Sequence, residues 1–206
     1  MNHYDPVFDR QLIFDTYACR AGKGTHKAVM RAFHFAKSSR YFLKMDVRKY
    51  FDSIDHKTLK TLLGKIIMNK TALGVFYEFV DSAGSLSSTG IPIGNLTSQY
   101  FANYYLSAFD HYFKEHLHTR RYIRYMDDIL IFSENKKDIK SMYETATAYV
   151  GEKLKLTLKP AVSGAAEDGA SSGSNRVIRG GSWNNSAVNT RSVNRNNNIG
   201  FRVVRP

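Results

Sequence analysis

The sequence predicts an α+β fold: an antiparallel sheet with packed helices, followed by an irregular C-terminal tail. Three observations carry this expectation. Short runs rich in Tyr, Ile and Phe occur at 41–47 and 121–133 and read as strands. Longer stretches with apolar residues at helical spacing lie around them. After Pro160 the chain turns small and polar, as linkers do. With 206 residues, it fits one domain plus an appendage, at the usual ~100–200 residues per domain.

The elements follow in order. Val29, Ala32, Phe33 and Ala36 recur at helical spacing and predict a helix over 25–37. Tyr41 to Val47 forms a strand. A helix covers 56–68, with Asp55 as its N-cap. A second helical pattern, Leu73 to Val80, leads into a glycine- and serine-rich loop over 81–90. The stretch 97–117 reads as one long helix, capped by Thr97 or Ser98. A hairpin spans 121–133. Lys136 to Lys153 is helical, and Leu154-Lys155-Leu156-Thr157-Leu158 alternates like a strand before Pro160. The order predicts a sheet with its helices on one face.

Asp127 and Asp128 fall at the tip of the hairpin, between Tyr122-Ile123 and Ile129-Leu130-Ile131-Phe132. Carboxylates are depleted in strands and costly to half-bury, so a compensating partner is expected. A two-acid turn is also an ordinary solvated hairpin tip. A second strand ending in an acid, Asp46, favours a site. Hard cations such as Mg²⁺ take oxygen ligands, with one or two carboxylates completed by substrate phosphates. Two such ions ~3.5–4 Å apart clamp the attacking and leaving oxygens of a phosphoryl transfer. In that arrangement Asp46 and Asp127 bridge the ions, Asp128 flanks them, and the Val47 carbonyl is an extra ligand.

The run Leu43-Lys44-Met45-Asp46-Val47-Arg48-Lys49-Tyr50-Phe51-Asp52-Ser53-Ile54 resembles the first catalytic motif of reverse transcriptases, and Tyr125-Met126-Asp127-Asp128 resembles the second. Between them, Gly90-Ile91-Pro92-Ile93-Gly94-Asn95-Leu96-Thr97-Ser98-Gln99 is similar to the motif that supports template and incoming nucleotide. Its Ser-Gln ending, together with Tyr17 to Ala28, resembles the reverse transcriptases of diversity-generating retroelements. The resemblance spans roughly 4–160 and implies a polymerase palm over 1–160. It implies Asp46, Asp127 and Asp128 as catalytic residues and Mg²⁺, with Mn²⁺ as substitute, as cofactor. RNA template, a DNA or RNA primer and deoxynucleoside triphosphates are the implied partners, with a small basic accessory protein. The family's fingers strands and thumb are expected to be truncated at the two ends.

Further residues take roles from the same resemblance. Phe51 lies where the family places an aromatic against the sugar of the incoming nucleotide, leaving no room for a 2′-hydroxyl. Its alternative is ordinary core. Gly94 and Gln99 belong to the nucleotide-supporting loop. Gln99 and Asn103 lie one helical turn apart, placed either to meet a base or sugar edge or to pair locally. Arg20, Lys23 and Lys27 surround two glycines before a helix, which suits phosphate. A flexible basic turn is the other reading.

The tail divides into a Gly/Ala/Ser linker over 161–175 and a piece over 176–206. Arg179-Gly180-Gly181-Ser182-Trp183 and Gly200-Phe201-Arg202 resemble the end of the formylglycine-generating-enzyme and C-type-lectin-like fold. Asparagines fill the stretch between them. In diversity-generating retroelements adenine-rich repeats diversify a lectin-fold target, and asparagine codons are adenine-rich. The tail therefore reads as template- or target-derived, or as a disordered asparagine-rich segment. Two rivals stand beside the polymerase: a non-catalytic fusion product that binds nucleic acid through a basic palm, and a lectin-like display module.

The formal charge is +12, of which residues 1–160 carry +8, which fits a polyanion partner. One cysteine, Cys19, excludes an internal disulfide. With no signal-like segment and no spanning run, the expectation is a cytoplasmic chain without membrane contact. His111, His116 and His118 lack the cysteines or spacing of a zinc site.

Overall fold

The computed structural model describes residues 3–82 and 88–166, together with the backbone of 179–180 and 201–202. A four-stranded antiparallel sheet forms its centre, in the order β2-β3-β1-β4. The strands are β1 (Tyr41–Asp46), β2 (Tyr122–Tyr125), β3 (Asp128–Ser133) and β4 (Val162–Ala165). The α+β class expected from sequence is the class observed.

Side chains alternate between the two faces of a strand. Leu43, Met45, Ile129, Ile131 and Tyr122 point to one face and join the larger core. That core includes Leu59 and Leu63 of α4 (His56–Ile66), Phe76 of α5 (Lys70–Asp81) and Phe101 and Tyr105 of α6 (Leu96–Tyr105). Phe109 of α7 (Ser107–His111) and Val150 of α8 (Lys136–Leu154) complete it. Phe42, Ile123, Leu130 and Phe132 point the other way, onto Ala28, Val29, Ala32 and Phe35 of α2 (Thr25–Lys37). The sheet is therefore covered on both faces, not one. The central place of β3 explains this: it is buried along its length, with Ile129 to Phe132 apolar on both sides.

Most element bounds agree with the sequence expectation to within a few residues. Asp55 caps α4, with its carboxylate accepting from the Thr58 N–H at 2.8 Å. Two short helices were not expected: α1 (Asp5–Asp9), begun by Pro6, and α3 (Tyr50–Ser53). The long helix expected over 97–117 is three pieces: α6, α7 and a π-helical turn over Tyr112–His116. In that turn Leu117 N–H reaches the Tyr112 carbonyl five residues back. Neither Thr97 nor Ser98 caps α6. The helix starts at Leu96 behind Asn95, and Ser98 is buried.

The last strand is displaced. Over 154–158 the expected alternation of burial is present, with Leu154, Leu156 and Leu158 buried, but only Leu158 bridges, to Val47. The extended ladder on β1 forms at 162–165, past Pro160. Between the pairs Lys44–Val162 and Val47–Leu158 the second segment carries one more residue than β1, which is a bulge. Proline has no N–H to give to a ladder, and bulges are where sheets accept it. Gly164 faces Phe42 so closely that a Cβ there would lie 3.0 Å from the ring, so β4 lies tight on the sheet.

Of the tail, the backbone of β5 (Arg179–Gly180) pairs antiparallel with β6 (Phe201–Arg202). The remaining linker and tail expectations, at 167–178, 181–200 and 203–206, lie outside the described residues, as does 83–87 of the expected loop. Among the described residues no helix is long and apolar enough to cross a membrane.

Candidate active site

The three acids meet at one end of the sheet. Asp46 ends β1 and Asp128 begins β3, and the two are register partners. Paired side chains in an antiparallel ladder share a face, so both carboxylates project from the side that α2 covers farther along. Like charges placed directly opposite destabilise a sheet. Asp127 lies in the two-residue turn between β2 and β3, beside Met126. Met126 has φ 55, where a side chain is disfavoured, while Asp127 has no positive φ. A positive φ at the first turn residue alone is the type II′ hairpin pattern, which ordinarily takes glycine there.

Two lysines offset the charge. Lys44, two residues before Asp46 and on the same face, places Nζ 2.9 Å from Asp128 Oδ1. Lys159 donates from Nζ to Asp46 Oδ2 at 2.7 Å, and its backbone N–H donates to the Asp46 carbonyl at 2.8 Å. The hydrogen bond to Asp46 raises the Lys159 ammonium above its ordinary range. Burial, then the neighbouring Asp46 and Asp128, push the Asp127 carboxyl up to about 6, against a lowering by its own backbone N–H and by Lys159.

The residues fit a divalent cation in two respects. Asp46 Oδ1 is buried and has no hydrogen-bond partner among the described residues. A buried carboxylate oxygen left so is costly unless something binds it. The Val47–Leu158 bridge closes through Arg48 N–H to Thr157 O and Lys159 N–H to Asp46 O, and leaves the Val47 carbonyl out. The oxygen donors are those a hard cation takes. The acids do not by themselves form a closed three-ligand cage among the described residues. A site completed by substrate phosphates needs only one or two carboxylates.

The other expected site residues surround this rim unequally. Phe51, in α3, is half-buried, edge-on to Tyr50 with ring centroids 5.7 Å apart. The Ile91 N–H bonds to the Phe51 carbonyl and Gly90 N–H to that of Ile54, which fastens the glycine loop to α3. Gly94 has φ 94 and open space around its Cα. Gln99 accepts from Cys19 Sγ at 3.2 Å. Asn103 is buried and turned inward, bonded to Ala18 O and Arg124, so it meets no base edge. Arg20 is committed to Asp9 at 2.6 Å and to the Ile13 and Thr16 carbonyls. Lys23 donates to Phe14 O and lies 3.4 Å over the Phe14 ring, and Lys27 donates to Gly22 O.

Sequence reasoning missed Lys44, Lys159 and a buried charged hub at Arg124. Strand alternation from Asp46 was enough to find Lys44. Arg124, a lone cation in an apolar strand, was a readable signal. Lys159 had none, because its contact with Asp46 spans 113 positions.

The sheet thus carries acids at the tip of one hairpin and at the end of the adjoining strand. The family model for reverse transcriptase (RNA-dependent DNA polymerase) matches residues 3–162, and the chain belongs to that family. It is 29% identical over 114 residues to the group II intron-encoded protein LtrA of Lactococcus lactis subsp. cremoris, covering 52% of this chain and 18% of that protein. It is 22% identical over 120 residues to the putative COX1/OXI3 intron 1 protein of Saccharomyces cerevisiae, covering 55% of this chain and 14% of that one. The chain thus spans under a fifth of the length of these relatives. Its fold is similar to apo telomerase from Candida tropicalis, with TM-score 0.62 at 13% identity over 82% of this chain and 36% of that one. Telomerase from Candida albicans, in complex with a fragment of telomeric RNA, gives TM-score 0.58 at 12% identity, covering 85% and 34%.

Proposed function

We propose that the chain carries the catalytic palm of an RNA-directed DNA polymerase, of the type that serves diversity-generating retroelements. One observation supports it above the rest: Asp46 and Asp128 face each other across adjoining strands, Asp127 stands beside them, and Asp46 Oδ1 is buried without a hydrogen-bond partner among the described residues. Asp46 and Asp127 would hold Mg²⁺ ions, with Asp128 and the Val47 carbonyl beside them. The ions would activate a primer 3′-hydroxyl and stabilise the leaving pyrophosphate.

The chain's own residues supply the rest. Lys44 and Lys159 hold the carboxylates while no cation does, and their flexible stems let them withdraw. Phe51 is the candidate sugar gate, and Gly94 and Gln99 border the nucleotide. Lys23, in the glycine turn, and Lys27, in the first turn of α2, stand where a template phosphate can approach, whereas Arg20 is held by Asp9.

The test is addition of single nucleotides to a primer on an RNA template, with Mg²⁺, by the full chain. Deoxynucleotide incorporation abolished by Asp127→Asn is the expected result. Phe51→Ala should raise ribonucleotide use relative to deoxynucleotide use while leaving template binding intact. Template binding without any incorporation would instead favour the non-catalytic nucleic-acid-binding product.

A further inference from the structure

Arg124 is fully buried, and so is Asp110, its partner. All five guanidinium N–H groups have acceptors. Nε donates to the Asp110 carboxylate at 2.8 Å and Nη2 at 2.7 Å. A second Nη2 bond goes to the Asn103 carbonyl and one Nη1 bond to the Asn103 side chain, each at 2.9 Å. The remaining Nη1 bond goes to the Met126 carbonyl at 2.9 Å. Tyr122 and Thr16 satisfy what is left of Asp110, at 2.5 and 3.0 Å. Four of the five donors face Asp110 and Asn103 inside the core. The fifth grips the turn.

That carbonyl belongs to the peptide that links Met126 to Asp127. Met126 is held at φ 55, a conformation that strains a non-glycine residue. The N–H of the same peptide is the backbone N–H of Asp127. Arg124 therefore holds the one peptide that joins the strained Met126 to the backbone of Asp127. The hub reaches further: Asn103 lies in α6, beyond the Gly94–Gln99 segment, and donates to Ala18 at 2.6 Å. Backbone bonds also tie Arg124 to Asp15 and Tyr17.

We infer that Arg124 is a positioning residue: by holding the Met126–Asp127 peptide from inside the core, it aims Asp127 at the cation site and locks the turn to α6. The inference rests on the cation site proposed above. Groups that orient a metal ligand typically change affinity 10–100-fold when removed.

The experiment measures Mn²⁺ binding to the full chain by loss of the free-ion electron paramagnetic resonance signal. Asp127→Asn comes first and should weaken binding strongly. If it binds Mn²⁺ as wild type does, the metal reading of the rim fails, and the Arg124 inference with it. Two variants then address Arg124. The double change Arg124→Met with Asp110→Asn removes both buried charges together, a change that folded proteins often tolerate. Arg124→Lys keeps the charge but cannot span Asp110 and the Met126 carbonyl. Folded by circular dichroism, both should bind Mn²⁺ about 10–100-fold more weakly. Adding Met126→Gly, which adopts a positive φ unaided, should restore part of the affinity. A folded variant within about twofold of wild type would overturn the inference, since a lost orienting group costs tenfold or more. Loss of the fold in both would make Arg124 a structural residue only and would overturn it equally.

Discussion

Asp127 titrates at about 6 in the folded chain, above the ordinary carboxylate value of 3.8, chiefly because it is buried and then because Asp46 and Asp128 are near. Between those two pH values the native state binds a proton that the unfolded chain does not. Linkage then makes the metal-free protein lose stability as pH rises from about 4 to about 6. Asp127→Asn removes that loss, so its thermal midpoint at pH 8 without divalent ions should exceed that of the wild type. Mg²⁺ must displace the proton, so its affinity should rise with pH through about 6. Calorimetric titration at pH 5 and pH 7.5 checks this. Arg124 behaves oppositely: burial opposes its charge, yet Asp110 outweighs burial and raises it. Asp110→Ala alone strands that cation and should cost about 3–5 kcal/mol in a denaturant melt. The acids were legible as residues because carboxylates among apolar strand positions need a reason. Their counter-ion Lys159 was not, because nothing local ties it to Asp46.

Elements were legible where a local signal and the tertiary environment agree. Asp55 both follows a cap pattern and caps α4, so Asp55→Ala should lower stability by about 0.5–2 kcal/mol in an equilibrium unfolding curve. The hairpin was legible from two apolar runs around two polar turn residues. The final strand was not. Alternation at 154–158 reports burial, and Leu156 and Leu158 are buried as the pattern says. It does not report which backbone groups find a ladder. The segment that does, Val-Ser-Gly-Ala at 162–165, is mostly exposed and has no apolar face to read. It pairs because β1 offers an open edge and because Gly164 fits against Phe42. The α6 start was misplaced for a similar reason: Ser98 looks like a cap in sequence but is enclosed by the core.

At the scale of the molecule, the sheet ends at Ala165 and Ala166 closes it, its N–H on the Arg40 carbonyl at 2.8 Å and its side chain in the α2 core. A chain of residues 1–166 should keep the fold, while one of 1–160 loses β4 and leaves the β1 edge open to other chains. Thermal melts and light scattering of the two should show the shorter one less stable and more prone to associate. The charge of the whole, +12, fits a long polyanion. The three acids gather at one rim, where β1, the hairpin turn and the segment before Pro160 converge. The proposed polymerase palm requires two cations at this rim. A crystal structure of the chain grown with Mn²⁺ and read by anomalous scattering tests it most directly. Two peaks about 3.5–4 Å apart, bridged by Asp46 and Asp127, are expected, with Lys159 withdrawn from Asp46. A rim without peaks, its Lys44–Asp128 and Lys159–Asp46 pairs intact at saturating Mn²⁺, would contradict it.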